Sequence, residues 1–119
     1  MDKAAQRHIH FRLERIFKSS MKKRVYIIAK VTGLPISEVM EKYEKAKSII
    51  RESGHYPVSP VDHVPQGSDW VTAMRICIPL MLSCDYITAI DDVNTTAGGL
   101  VEYTIAGWLK IPRLYFSSL

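Results

Sequence analysis

The segment of residues 91–102 concentrates side chains that could take part in chemistry. Two adjacent carboxylates, Asp91 and Asp92, follow a short apolar run, and Glu102 comes later in the same segment. A pair of carboxylates is the residue type needed to attack, or to stabilise, an oxocarbenium-like sugar carbon. Glu102 is also consistent with a capping glutamate that only interacts with a helix dipole, which is the favoured interpretation of the residue taken alone. The sequence therefore defines a candidate site with two interpretations.

Small residues stand between these acids, where a helix is predicted to open. The run is Thr96-Ala97-Gly98-Gly99. Free backbone N–H groups and the helix dipole at such a position favour an anion such as a phosphate. Small residues are also common as plain helix caps, so both interpretations stay open. Glu102 lies less than two turns into this helix, which predicts a carboxylate close to the same turn.

Apolar runs and helical periods predict the elements that position these residues. Strands are predicted at residues 24–29, 56–59, 86–90 and 111–116, and they alternate with three helices that follow Pro35, Ser68 and Thr96. Pro79 falls inside the second helical pattern, which predicts a kink or an early end. Alternating strands and helices predict right-handed crossovers and a parallel sheet covered on both sides. The expected fold is a doubly wound α/β domain, flavodoxin-like or Rossmann-like, with four parallel strands.

Ligands of open parallel sheets bind beyond the carboxyl ends of the strands. Polar residues follow each of the first three predicted strands, which makes these residues candidates for binding. They are Lys30, Thr32 and Gly33 after the first strand, Ser59, Asp62 and His63 after the second, and Asp91, Asp92, Asn94, Thr95 and Thr96 after the third.

Charge is distributed unevenly along the chain. Residues 1–24 hold eight basic and two acidic residues, a net +6, whereas residues 25–119 hold eight basic and ten acidic residues, a net −2. A mildly acidic domain is not expected to bind a nucleic acid polymer. The apolar windows are short, so no membrane span is expected. Cys77 and Cys84 lack the spacing of metal ligands and indicate buried thiols in a reducing, cytoplasmic compartment. No metal or cofactor is implied.

The head of the chain differs from the remainder. Ile9, Leu13, Ile16 and Phe17 form one apolar stripe, so residues 1–20 are predicted to be a basic amphipathic helix that precedes an α/β domain of residues 21–119. A helix packed on the domain or on a partner is the favoured interpretation. A membrane-surface helix or a targeting segment has a similar pattern. Met21 is also a candidate for the true start of the protein.

Four blocks of sequence resemble one protein family. Residues 25–35, which include Tyr26, Lys30, Thr32 and Gly33, are similar to the family's opening strand and loop. Residues 54–60 are similar to its second-strand motif, a Gly-His before a strand that ends in a polar residue and proline. The blocks around Trp70, Met74, Cys84-Asp85 and residues 92–102 follow in the same order and approximate spacing. Residues 24–116 thus resemble the nucleoside 2-deoxyribosyltransferase-like family, in its short bacterial and phage branch.

This resemblance implies roles for individual residues. Glu102 would be the nucleophile that attacks C1′ of a (deoxy)ribosyl group, Tyr26 would orient it, and Asp92 would contact the sugar or base. A second set would bind substrate near its 5′ end: Lys30, Thr32, Gly33, Ser59, Thr96, Gly98 and Gly99. The expected ligand is a nucleoside or nucleoside 5′-monophosphate, and the expected assembly is a homodimer or a higher homo-oligomer. The expected activity is cleavage or exchange of an N-glycosidic bond, and the alternative is a nucleotide-binding module without turnover.

Overall fold

A computed structural model describes residues 22–119 of the chain. The predicted helix of residues 1–20, and the division of the chain after it, lie outside the described residues. Three strands form the sheet: β1 (Arg24–Ile28), β2 (Tyr56–Val58) and β3 (Tyr86–Ala89). Three helices accompany them: α1 (Ile36–Glu52), α2 (Trp70–Leu82) and α3 (Ala97–Trp108). The chain is therefore an α/β domain, as the alternation of patterns predicted.

The sheet is fully parallel, with β1 at its centre and the order β2-β1-β3. The prediction of four strands is wrong for the described residues. Residues 111–116 make one isolated parallel bridge, between Ile87 and Arg113, instead of a strand. Pro112 has no N–H to donate, and a short 3-10 turn begins at Phe116. The tail therefore lies along β3 at a single point.

The two faces of β1 are covered by different helices, because successive side chains of a strand alternate. Tyr26 and Ile28 pack with Cys77 and Met81 of α2 and Ala106 of α3. The arrangement places two helices on this face. It is the face on which α3 and its carboxylate lie.

Helix α1 covers the other face. Val25, Ile27 and Ala29 pack there against α1, whose buried residues recur at helical spacing: Val39, Tyr43, Ala46 and Ile50. The three-layer arrangement is compatible with a Rossmann-like fold. Among the described residues, no helix combines the length and the apolar character needed to cross a membrane.

Helix boundaries show where local sequence signals predicted the structure and where they did not. Gly54 follows the end of α1 with φ 90°, and the His55 N–H donates to the Ile50 carbonyl at 3.1 Å, as expected for a glycine that ends a helix. Asp69, rather than the predicted Ser68, caps α2 by accepting a hydrogen bond from the Thr72 N–H at 2.7 Å. Pro79 does not end α2, which continues to Leu82.

Candidate functional site

Glu102 occupies an unusual environment for a carboxylate. It lies on the buried side of α3 with 7% of its surface exposed, and its Oε2 atom is buried without a hydrogen-bond partner. Burial raises the pKa of Glu102, and the nearby Tyr26 hydroxyl partly opposes this increase. The resulting pKa is about 7. Removing a carboxylate from water without a compensating partner costs free energy. Glu102 is therefore a carboxylate that exchanges its proton close to neutral pH.

Tyr26 lies directly beneath this carboxylate on β1. Its side chain is fully buried, and its hydroxyl has no hydrogen-bond partner of good geometry. Burial, followed by the charges of Glu102 and Cys77, raises the pKa of Tyr26 far above its ordinary value. The phenol therefore stays protonated and can donate to the carboxylate. The structure thus brings together the predicted pair, Tyr26 and Glu102, although no hydrogen bond of good geometry joins them.

Cys77 completes this buried cluster from α2. Its thiol is close enough to Tyr26 and Glu102 to interact with both, and burial raises the pKa of the thiol. A buried thiol with a raised pKa is a weak nucleophile. Cys77 therefore belongs to the surroundings of Glu102 as a small neutral group.

Gly98 lies in tight packing beside the carboxylate. A Cβ atom at Gly98 would lie 3.1 Å from Met74 Sδ, 3.6 Å from Trp70 Nε1 and 3.9 Å from Glu102 Oε1. Side chains from α2 and α3 therefore already crowd the position that a larger residue at 98 would need. The carboxylate oxygen nearest to this position is Oε1, whereas Oε2 is the oxygen buried without a partner.

Gly99 permits the start of α3 to approach the sheet. A Cβ atom there would overlap the Thr96 side chain and lie 2.9 Å from Ile28 Cγ2 of β1. Thr96 is itself buried, and its hydroxyl donates to the Val93 carbonyl at 3.4 Å instead of capping the helix. The first turn of α3, which has no side-chain cap among the described residues, therefore lies against β1, less than two turns before Glu102.

Asp91 forms a second polar centre at the carboxyl edge of the sheet. Its Oδ2 atom accepts hydrogen bonds from the Lys30 backbone N–H at 2.7 Å and from Lys42 Nζ at 2.9 Å. These contacts tie the end of β1 to the end of β3 and to helix α1. The backbone of Lys30 therefore has a structural role, which the sequence did not indicate.

Asp92 is placed differently from its predicted role beside Glu102. It is exposed and accepts hydrogen bonds from the backbone N–H and the side chain of Asn94, which fixes the short turn before α3. It lines a cleft of about 570 Å³ together with Tyr103 and Arg113. The pKa of Glu102 is governed by burial and by Tyr26. The predicted pairing of Asp92 with Glu102 remains a prediction that these contacts do not support.

The other predicted binding residues are dispersed. Thr32 and Gly33 are exposed in the turn after β1, where Gly33 has φ 82°. Ser59 is buried, and its hydroxyl has no partner. Ser59 lies directly after the end of β2.

Three residues near Gly98 and Glu102 were not predicted as site residues, although their pattern was visible. Trp70, Met74 and Cys77 recur at spacings of four and three residues, which places them on one face of α2. That these residues lie next to Gly98 and Glu102 cannot be identified without coordinates.

Comparisons with known proteins give one positive result. Residues 23–115 match the model of a family described as a domain of unknown function, DUF4406. Neither the curated proteins nor the solved structures that were compared with the chain gave a match. Because the family model covers most of the chain, the protein belongs to the DUF4406 family.

Proposed function

We propose that the protein cleaves the N-glycosidic bond of a nucleoside or a nucleoside 5′-monophosphate, or transfers its (deoxy)ribosyl group, with Glu102 as the nucleophile. The observation that supports this proposal most strongly is the buried Glu102 carboxylate, whose Oε2 atom has no hydrogen-bond partner. A carboxylate without a structural partner is available to a substrate. The resemblance to nucleoside 2-deoxyribosyltransferase-like proteins supports the same assignment.

The proposed reaction has two displacements at the same carbon. Glu102 Oε1 forms a bond to C1′ while the C1′–N bond breaks. The electron pair of the C1′–N bond leaves with the base, which takes a proton from water. Water, or a second base in a transfer reaction, then attacks C1′. The C1′–O bond to Glu102 breaks, the carboxylate is restored, and the proton of the attacking group passes to solvent.

The first turn of α3 is the proposed site for the 5′ end of the substrate. Its backbone N–H groups and the helix dipole favour an anion, and Thr96, Gly98 and Gly99 form that turn. Tyr26 is proposed to position Glu102, and Lys30 remains a candidate for the phosphate. The mechanism assigns no step to Asp92.

Base release tests this proposal directly. The purified protein is incubated with each deoxynucleoside and each deoxynucleoside 5′-monophosphate, and free base is measured by chromatography. We expect release by the native protein and loss of release in Glu102→Ala. Release that persists in Glu102→Ala, or its absence with every substrate, would overturn the proposal.

One observation favours a second candidate, a nucleotide-binding module without turnover. Helix α2, which borders Glu102, contains no acidic residue that could protonate a departing base. In this case, nucleotides raise the melting temperature of the protein without releasing base.

A homo-oligomer is proposed as the working assembly. Large apolar side chains are exposed on α2, on α3 and directly after α3, among them Val71, Leu82, Val101, Trp108 and Leu109. Apolar surface of this extent on two neighbouring helices is typical of an interface. Light scattering on the native protein and on Trp108→Lys tests this: the native protein should give the mass of an oligomer and the variant that of a monomer.

A cytoplasmic location is part of the proposal and is supported by the free thiols of Cys77 and Cys84.

A further inference from the structure

We propose that the cleft lined by Asp92, Tyr103 and Arg113 binds a small zwitterion, a free amino acid with an apolar side chain. The carboxylate of this ligand pairs with Arg113, and its ammonium group pairs with Asp92. Glu102 does not line the cleft, so the site is separate from the proposed reaction centre and does not depend on the proposed function.

Arg113 is a cation that has no acidic partner among the described residues. The ion pairs within residues 22–119 involve Lys42 and Lys47 only. The Nε atom of Arg113 is buried, and no described atom accepts its hydrogen bond. Partial burial of a guanidinium without acceptors costs free energy. A carboxylate in the cleft supplies charged acceptors that the described part of the chain does not.

The Arg113 side chain is held in position by two aromatic rings. Its guanidinium carbon lies 5.6 Å from the centroid of the Tyr103 ring and 4.6 Å from that of Tyr115. The backbone is fixed as well, because the Leu114 N–H donates to the Ile87 carbonyl of β3 at 2.8 Å. Cation–π contacts stabilise a charge but provide no carboxylate oxygen for its N–H groups. Arg113 is therefore prepositioned for an anion.

Asp92 brings the opposite charge to the same cleft. Its Oδ1 atom accepts hydrogen bonds from the backbone and the side chain of Asn94, at 2.9 and 3.1 Å, and both donors are neutral. Asp92 and Arg113 line one cleft but form no ion pair with each other. Opposite charges that stay apart are complementary to a ligand that carries both. A phosphate dianion is less suitable, because Asp92 repels it.

The remaining lining indicates the body of the ligand. The cleft has a volume of about 570 Å³, which lies within the roughly 300–1,000 Å³ of small-molecule sites. Val93, Leu100 and Tyr103 contribute apolar surface to it. A single amino acid with an aromatic or branched aliphatic side chain fits this volume and this lining.

Three related probes test the two charges separately in the native protein. They are phenylalanine, phenethylamine, which lacks the carboxylate, and 3-phenylpropionate, which lacks the ammonium group. Each is titrated into the 15N-labelled protein without nucleotide, and the amide signals of Asp92, Asn94 and Arg113 are followed by NMR. Phenylalanine should shift these signals saturably, and each of the other probes should bind about tenfold more weakly or less, because it lacks one charged contact.

Matched variants assign the contacts to residues. Arg113→Met keeps the apolar stem and should weaken phenylalanine binding about tenfold or more, while leaving phenethylamine binding within about threefold. Asp92→Asn, which keeps an acceptor for Asn94, should weaken phenylalanine binding similarly. Arg75→Met removes an exposed cation of α2, outside the cleft, and should have no effect.

Two results would overturn the proposal. One is phenylalanine binding that is absent, or no tighter than that of both single-charge probes. The other is binding that Arg113→Met leaves unchanged. The first result is obtained with native protein, so it does not depend on the folding of a variant. Neither result bears on Glu102, since base release is measured separately.

Discussion

Asp91 and Glu102 are two carboxylates near the same edge of the sheet, and their environments differ. Asp91 accepts a hydrogen bond from the Lys30 backbone and another from Lys42, and its side chain is 27% exposed. Glu102 is more deeply buried, and one of its oxygens has no partner. A cation and a backbone donor compensate the charge of Asp91, whereas burial leaves that of Glu102 largely uncompensated. The comparison separates a carboxylate that has structural partners from one whose buried oxygen has none.

The largest expected difference between the two carboxylates is in catalysis. Glu102→Gln should lower base release by about a thousandfold or more, because the amide is a poor nucleophile. The matched exchange Asp91→Asn should change release by less than about tenfold, because the asparagine oxygen can still accept from Lys30. Rates of base release at saturating substrate measure both. Equal losses in the two variants would remove the distinction between the carboxylates.

The next effect is on stability as a function of pH. The folded-state pKa of Glu102, about 7, exceeds its ordinary value of 4.5, so the folded protein retains a proton that the unfolded chain has lost. The stabilising contribution of that proton is fully present below pH 4.5 and is lost as pH rises through 7. Native protein should lose about 2–3 kcal/mol between pH 5 and pH 8 relative to Glu102→Gln. Urea unfolding of both proteins measures this, and parallel pH profiles would contradict it.

A smaller effect is expected from removing the partners of Asp91. Asp91→Ala leaves the Lys30 N–H and the Lys42 ammonium without their shared acceptor and should cost about 1–2 kcal/mol of unfolding free energy. Lys42→Met, which leaves the backbone hydrogen bond intact, should cost less because the ion pair is partly exposed. Urea unfolding at pH 7 gives both values. A larger loss in Lys42→Met would show that the ion pair, rather than the backbone contact, dominates.

The smallest predicted effect concerns Tyr26. Its hydroxyl lowers the pKa of Glu102, so Tyr26→Phe should move the acid limb of the pH–rate profile to higher pH. In native protein, kcat/KM should rise about tenfold per pH unit below pH 7 and level off above it, because the nucleophile must be ionised. The Phe variant has the same ring, and a midpoint unchanged or shifted to lower pH would show that the hydroxyl does not act on Glu102.

Patterns that repeat along the chain predicted much of the fold. The apolar run of β1 and the helical period of α1 are long enough to determine their type, and the phase of α3 placed Glu102 at the edge of its apolar stripe. The prediction of a fourth strand was wrong because a short apolar run does not reveal whether its backbone N–H donors can pair. Pro112 removes one of these donors.

The site was less predictable than the fold. Asp91 and Asp92 are adjacent and chemically identical, and both follow the end of β3, where strand alternation no longer sets the direction of a side chain. Which of them faces Lys42 depends on packing between elements far apart in sequence. The tight packing at Gly98 likewise depends on the contact of α2 with α3, which local patterns do not encode.

The tail of residues 111–119 closes one edge of the sheet without lengthening it. Its bridge at Ile87 occupies backbone groups of β3. At the opposite edge, β2 is three residues long and contains Pro57, which has no N–H. Edge strands that are short or covered offer few free backbone groups to a strand of another molecule. Growth of the sheet by intermolecular pairing is therefore disfavoured at both sides, and a chain cut after Lys110 would lose this protection along β3.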